Sequence, residues 1–158
     1  MVITDLKNVN MDKLKRFFED NWGSPEMILS TGVYNCIDLP GFVALEEYEI
    51  IGLITYFKHK DYWEIISLDA VVENIGIGTK LLNHLEEEAK SNNIKTIKLI
   101  TTNDNIRALS FYQKRGYRMI DIIPFAVNNA RKIKPEIPFV SEDGIPIRDE
   151  LLLEKTLS

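Results

Sequence analysis

The spacing of hydrophobic and polar positions changes period along this chain, and the changes lay out its elements. Met1 to Leu6 predicts a short strand. From Met11 to about Trp22, Leu14, Phe17 and Phe18 recur at helical spacing. Asn10 or Asp12 is placed to cap that helix, and Gly23-Ser24-Pro25 ends it. Met27 to Leu29 and Val33 to Tyr34 predict short strands around Thr31-Gly32. After the turn signal Leu39-Pro40-Gly41, Phe42 to Glu46 and Ile50 to Lys58 predict an antiparallel hairpin. Lys60-Asp61 makes another turn, and Tyr62 to Val72, rich in Val and Ile, predicts a buried strand.

At Gly76-Ile77-Gly78 the period switches. Ile77, Leu81, Leu82, Leu85 and Ala89 share one face of a helix from about Gly76 to Ser91. Lys80, Asn83, Glu86, Glu87 and Lys90 make its outer, solvated face, with His84 on or near that surface. Lys95 to Thr101 returns to strand, so this unit predicts a right-handed parallel crossover. Asn103 or Asp104 caps another helix, running to about Arg115, with Gly116 as its left-handed C-terminal cap. Tyr117 to Phe125 predicts a strand, Ala126 to Lys132 a short helix, and Glu150 to Leu157 a last strand. Six or seven strands and about four helices make an α/β domain around a mixed sheet. At 158 residues the chain, 1–158, fits a single domain with one sizeable core.

Composition narrows the function classes. The chain is 45% hydrophobic and 27% charged, as ordinary globular proteins are. A formal charge of -5 argues against nonspecific nucleic-acid binding. No apolar run reaches the ~20 residues of a membrane span, and the N-terminus lacks a signal-peptide pattern. The lone Cys36 fits a reducing compartment, hence a cytoplasmic setting, and reads as a packed thiol. Two histidines and one cysteine, well apart in sequence, offer no metal cluster.

The glycine turn carries the first chemistry. A strand feeding a glycine turn and then a helix start leaves free backbone N–H groups with the positive helix end behind them. Such a spot takes anions, phosphates above all. Gly76 and Gly78 let a bulky ligand approach the backbone. A plain strand-to-helix turn would use the same residues.

The middle of the chain resembles the GNAT superfamily of acetyl-CoA-dependent N-acetyltransferases. The family's Q/R-x-x-G-x-G/A turn stands here as Glu73-Asn74-Ile75-Gly76-Ile77-Gly78. Its downstream N-x-x-A-x-x-x-Y-x-x-x-G-F/Y pattern stands as Asn105, Ala108, Tyr112, Gly116 and Tyr117. The resemblance is close from about Tyr62 to Pro124. It implies a GNAT-like mixed, mostly antiparallel sheet with a parallel, splayed pair of strands at its centre. It implies acetyl-CoA as cosubstrate, its pyrophosphate on the N–H groups of about Ile75, Gly76, Ile77, Gly78 and Thr79. The pantetheine arm would lie beside Ala70, Val71 and Val72, adding almost as an extra strand. Asn105 would bind the arm or cap its own helix, and Ala108 is small enough to let the cofactor pass. Tyr112 stands where the family places its general acid, a phenol able to protonate the departing thiolate. Glu73 replaces the usual Gln or Arg and Ile75 a frequent Arg or Gln, so backbone N–H groups carry the phosphates, with Thr79 and Lys80 in support.

The general base is an expectation of the same kind. Some members of the family carry a catalytic Glu where Glu64 stands. Glu64 and Asp69 fall on opposite faces of a regular strand, and only a bulge would bring both to one site. Arg131, Lys132 and Lys134, in the long segment before the last strand, would hold an acidic acceptor, reach a CoA phosphate, or simply form a solvated turn. The function implied is acetyl transfer to a primary amine. A non-catalytic acyl-CoA-binding module is the alternative. Edge strands near the C-terminus offer a route to a homodimer.

Overall fold

Each element starts and stops where local chemistry requires. The computed structural model describes residues 1–71 and 76–158. Along the chain run β1 (Val2–Asp5), α1 (Met11–Trp22), β2 (Glu26–Leu29), β3 (Gly32–Asn35), β4 (Gly41–Glu46), β5 (Glu49–Lys58), β6 (Trp63–Ala70), α2 (Ile77–Ser91), β7 (Thr96–Thr102), α3 (Ile106–Gln113), β8 (Arg118–Ile123), α4 (Ala126–Ile133) and β9 (Glu150–Thr156). Asn10 caps α1 by accepting from the amides of Asp12 and Lys13, and Gly23 ends it with φ 80°. Asn105, not Asn103 or Asp104, caps α3, accepting from the Ala108 amide at 3.1 Å. Asn103 instead accepts from the amides of Arg148 and Asp149, tying the end of β7 to the segment before β9.

The chain divides into two compact units, residues 1–27, 34–97 and 157–158, and residues 28–33 and 98–156. The first holds the meander predicted upstream of the glycine turn. β1, β4, β5 and β6 pair antiparallel in that order, and the start of β7 follows beside β6 as the parallel neighbour. Leu14, Phe17 and Phe18 of α1 and Ile77, Leu81, Leu82, Leu85 and Ala89 of α2 are buried, as their spacing requires. Glu86 departs from the expected outer face and is buried. It lies one turn from Leu82 and beside Leu85, at the margin of the apolar stripe.

The second unit has the order β7-β9-β8, with β8 and β9 antiparallel. Tyr112, Tyr117, Val127, Ala130 and Leu153 are its buried apolar side chains. The two units thus supply seven strands of a mostly antiparallel sheet with one parallel pair, a mixed α/β fold. β2 and β3 form a separate two-stranded piece.

Candidate functional site

In the first unit, β6 ends at Ala70 and α2 begins at Ile77. Gly76 caps the helix with φ 82°, a conformation that side chains resist, and the space a Cβ would take is open. Among the described residues no side chain caps this helix start, and a first intrahelical bond runs from the Lys80 amide to the Gly76 carbonyl at 3.0 Å. The first-turn amides of a helix make no bond within it, and its positive end favours an anion. Ile77 contributes main chain only, because its side chain is buried against Gly52. Gly78 and Thr79 follow in the first turn, both half-buried. The Val71 amide donates to the Ile51 carbonyl at 2.8 Å. Alternation of the antiparallel ladder then turns the N–H and C=O of Ala70 away from β5. The predicted residues Val72 and Ile75, like Glu73, lie outside the described residues.

The bulge that the sequence left open is present. Thr55 pairs with Ser67 and Tyr56 with Ile65, so Ile66 has no partner in β5. Leu53, Thr55 and Phe57 alternate onto one face of β5, and their partners are Asp69, Ser67 and Glu64. The extra residue thus rotates Glu64 onto the face that carries Asp69. Along this face run three polar pairs. Thr55 and Ser67 share a hydrogen bond between hydroxyls at 2.6 Å. Glu64, only 1% exposed, has Oε1 2.8 Å from Nε2 of His59. Trp22, the last residue of α1, donates its indole N–H to Oδ2 of Asp69. Burial pushes the Asp69 carboxyl up to about 6, against the pull of the Trp22 bond. Tyr34 packs edge-on to Phe57 at 5.5 Å, and the His59 ring stacks on Tyr62.

In the second unit, Asn105, Ala108 and Tyr112 share one face of α3 by their spacing. Asn105 is exposed, its Oδ1 serves the helix cap, and its Nδ2 makes no hydrogen bond among the described residues. Ala108 is half-buried. Tyr112 is buried, its ring edge-on to those of Phe111 and Tyr117 at 5.2 and 5.5 Å. Beside Asn105, Asp104 keeps Oδ1 buried without a hydrogen-bond partner among the described residues.

Sequence patterns missed several buried polar groups. Arg131 is neither an acceptor-binding nor a solvated residue. Its guanidinium is buried and donates to the carbonyls of Ile137, Pro138 and Ile147 and to Asn128 Oδ1. Glu150, 1% exposed, accepts from the Ser30 amide. Apart from the Arg131–Asn128 bond, which has i, i+3 spacing along α4, nothing in periodicity marks these contacts, because each joins residues far apart in the chain or a side chain to a loop carbonyl. Among the described residues, no group of three or more His, Cys, Asp or Glu is arranged to hold a metal, and no helix is long and apolar enough to cross a membrane.

The chain is similar to several known proteins. It is 57% identical over 150 residues to the uncharacterized protein YxbD of Bacillus subtilis, covering 94% of each chain. An IAA acetyltransferase from Bacillus cereus has a similar fold, with TM-score 0.73, 22% identity and 99% of each chain covered. A Bacillus subtilis acetyltransferase in complex with CoA is similar at TM-score 0.67 and 21% identity, over 99% of this chain and 98% of that one. The family model described as acetyltransferase (GNAT) family matches residues 9–117, more than half of the sequence, and this chain belongs to that family.

Proposed function

We propose that this chain is an N-acetyltransferase that moves the acetyl group of acetyl-CoA to a primary amine by direct attack. It would do so as one domain over residues 1–158, in the cytoplasm, as a homodimer. The observation that carries the reading is the left-handed Gly76 that opens α2 after β6. Acetyl-CoA fits the residues present. The amides from Gly76 to Thr79 suit a pyrophosphate, the outward-turned main chain of Ala70 suits an amide-bearing arm, and Asn105 keeps two donors. The CoA bound in the similar Bacillus subtilis acetyltransferase supports the same choice.

The chemistry asks two things of the protein. The amine must lose a proton as its nitrogen forms the new bond to the thioester carbon. The thiolate released when the carbon–sulfur bond breaks must gain one. Glu64 is assigned the first task, directly or through a water, and its bulge-set place on the face of Asp69 supports that role. Tyr112 is assigned the second, its phenol holding the proton that goes to sulfur. Val71, Val72, Ile75 and Ala108 complete the assigned contacts with the cosubstrate.

Calorimetric titration with acetyl-CoA, beside a Gly76→Trp variant, tests the cosubstrate. Saturable binding lost in that variant is expected, with circular dichroism to show that it folds. Release of free thiol in the presence of a panel of primary amines then tests the transfer. Tyr112→Phe should bind acetyl-CoA as the native chain does and lose about a hundredfold or more in kcat. Absence of acetyl-CoA binding would overturn the reading.

A further inference from the structure

Strand β8 leaves its side chains in water over nearly its whole length. Every residue from Arg118 to Ile122 is exposed. Met119 is 50% exposed, Ile120 45% and Ile122 60%. β8 ends the order β7-β9-β8, so one of its edges has no strand beside it. Single exposed apolar residues need no explanation, but this concentration in one short edge strand marks a surface that is covered in use.

The charge pattern of the strand identifies what covers it. Arg118, Met119, Ile120 and Asp121 run basic, apolar, apolar, acidic. The bulge at Ile120 puts Arg118 and Asp121 on one face with Met119 between them, so two such strands, antiparallel about a two-fold axis at Met119, bring Arg118 opposite the partner's Asp121 twice and the two Met119 side chains together. A foreign strand would have to match both charges, whereas a second copy does so by symmetry. The groups are available for this. The Arg118 guanidinium makes no hydrogen bond or ion pair within the chain among the described residues. Among the described residues Asp121 uses only Oδ1, accepting from the Ile122 amide at 2.8 Å. Ile120 has no partner in β9, because the register shifts between Met119 and Asp121. That bulge and the occupied Ile122 amide interrupt main-chain pairing at the centre, so side chains hold the contact.

We propose that β8 is a self-complementary interface joining two copies of this chain, packed through Met119, Ile120 and Ile122 and fixed in register by two Arg118–Asp121 ion pairs. This gives a face to the homodimer proposed above and rests on that reading, but not on the chemistry.

The test is sedimentation velocity of the full chain across the micromolar range, with far-ultraviolet circular dichroism to show that each variant folds. The native chain should run as a dimer. Arg118→Asp and Asp121→Arg should each raise the dissociation constant about tenfold or more, since each places like charges opposite one another. Mixing these two variants should restore a dimer, because each then faces the complementary charge, and the double variant R118D/D121R should dimerise alone. A native dimer indifferent to all of these changes would overturn the interface while leaving the homodimer standing. A monomer at every concentration would overturn both.

Discussion

Nε2 of His59 stands 2.8 Å from Oε1 of Glu64, joining a partly exposed ring to a carboxylate that water scarcely reaches. The ring is held between Phe57 and Tyr62, so its nitrogen is fixed before any substrate arrives. A buried carboxylate that loses such a partner keeps its desolvation cost without the bond, about 1–3 kcal/mol. His59→Ala should therefore lower the unfolding free energy by roughly that amount. His59→Gln, which can still donate, should cost less. Glu64→Gln separates stability from chemistry. It keeps the shape and a polar contact to His59 but cannot take a proton, so under the proposed role of Glu64 kcat should fall about 10²–10⁴-fold with little change in melting. Full activity in Glu64→Gln would remove this residue from the mechanism.

Much of this arrangement was legible in the sequence, and the bulge shows where legibility stopped. The period change at Gly76 marked the strand-to-helix turn, because packing on one face of α2 dictates which positions are apolar. The parity of β6 was also readable, and it separated Glu64 from Asp69. Their return to one face depends on Ile66 having no partner in β5, a property of the pairing and not of either strand alone. Trp22 and His59 escaped for a related reason. Each meets its carboxylate through tertiary placement, Trp22 across the space between α1 and β6 and His59 across a hairpin turn. Asn105 was legible as a helix cap, one of its two readings. Its cap bond uses the oxygen, so the proposed contact with the cosubstrate would fall to the nitrogen.

Asp69 gives the first unit a pH-dependent stability. Burial raises its carboxyl from 3.8 to about 6, so the native state holds the proton more tightly than the unfolded chain does. The stabilising proton is present in the native state at low pH and is lost as pH rises from about 4 to about 6. Stability should fall across that window and level off above it. The loss is on the order of 2 kcal/mol after allowing for the partial exposure of the group. Urea midpoints taken through the window should show the slope in the native chain and a flatter line in Asp69→Asn. Parallel lines for the two would assign the slope to other groups.

Gly52 sets how closely α2 approaches the sheet. A Cβ there would lie 2.7 Å from Cγ2 of Ile77 and 2.8 Å from the carbonyl oxygen of Asp69. The Ile77 methyl can shift, but the carbonyl belongs to the β5–β6 ladder and cannot move without straining it. Gly52→Ala should destabilise by about 1–3 kcal/mol through overpacking. Gly76→Ala meets no neighbour, and its cost of about 1 kcal/mol comes from the left-handed backbone alone. Thermal melts of the two variants should rank them in that order. The reverse order would place the main constraint in the turn and not in the packing.

Arg131 organises the segment between α4 and β9 by satisfying carbonyls that have no strand or helix to bond with. Its Nη2 donates to Pro138 at 2.6 Å and to Ile147 at 2.5 Å, and its Nε to Ile137 at 3.2 Å. The guanidinium also lies over the Phe139 ring, 4.4 Å from its centroid. Removing the side chain strands several acceptors at once, so Arg131→Ala should cost about 2–4 kcal/mol, near the upper end for single substitutions. Arg131→Lys should recover little of it, because an ammonium cannot reproduce a planar fork that reaches carbonyls on two stretches of chain. Hydrogen exchange separates this local role from a general loss of stability. The Ile147 amide, bonded to the Phe139 carbonyl at 2.9 Å, should lose protection in Arg131→Lys while amides in the β4–β5 ladder keep theirs. Equal protection at Ile147 in the native chain and the lysine variant would mean that the turn at Ser141 to Gly144, and not the guanidinium, holds the segment together.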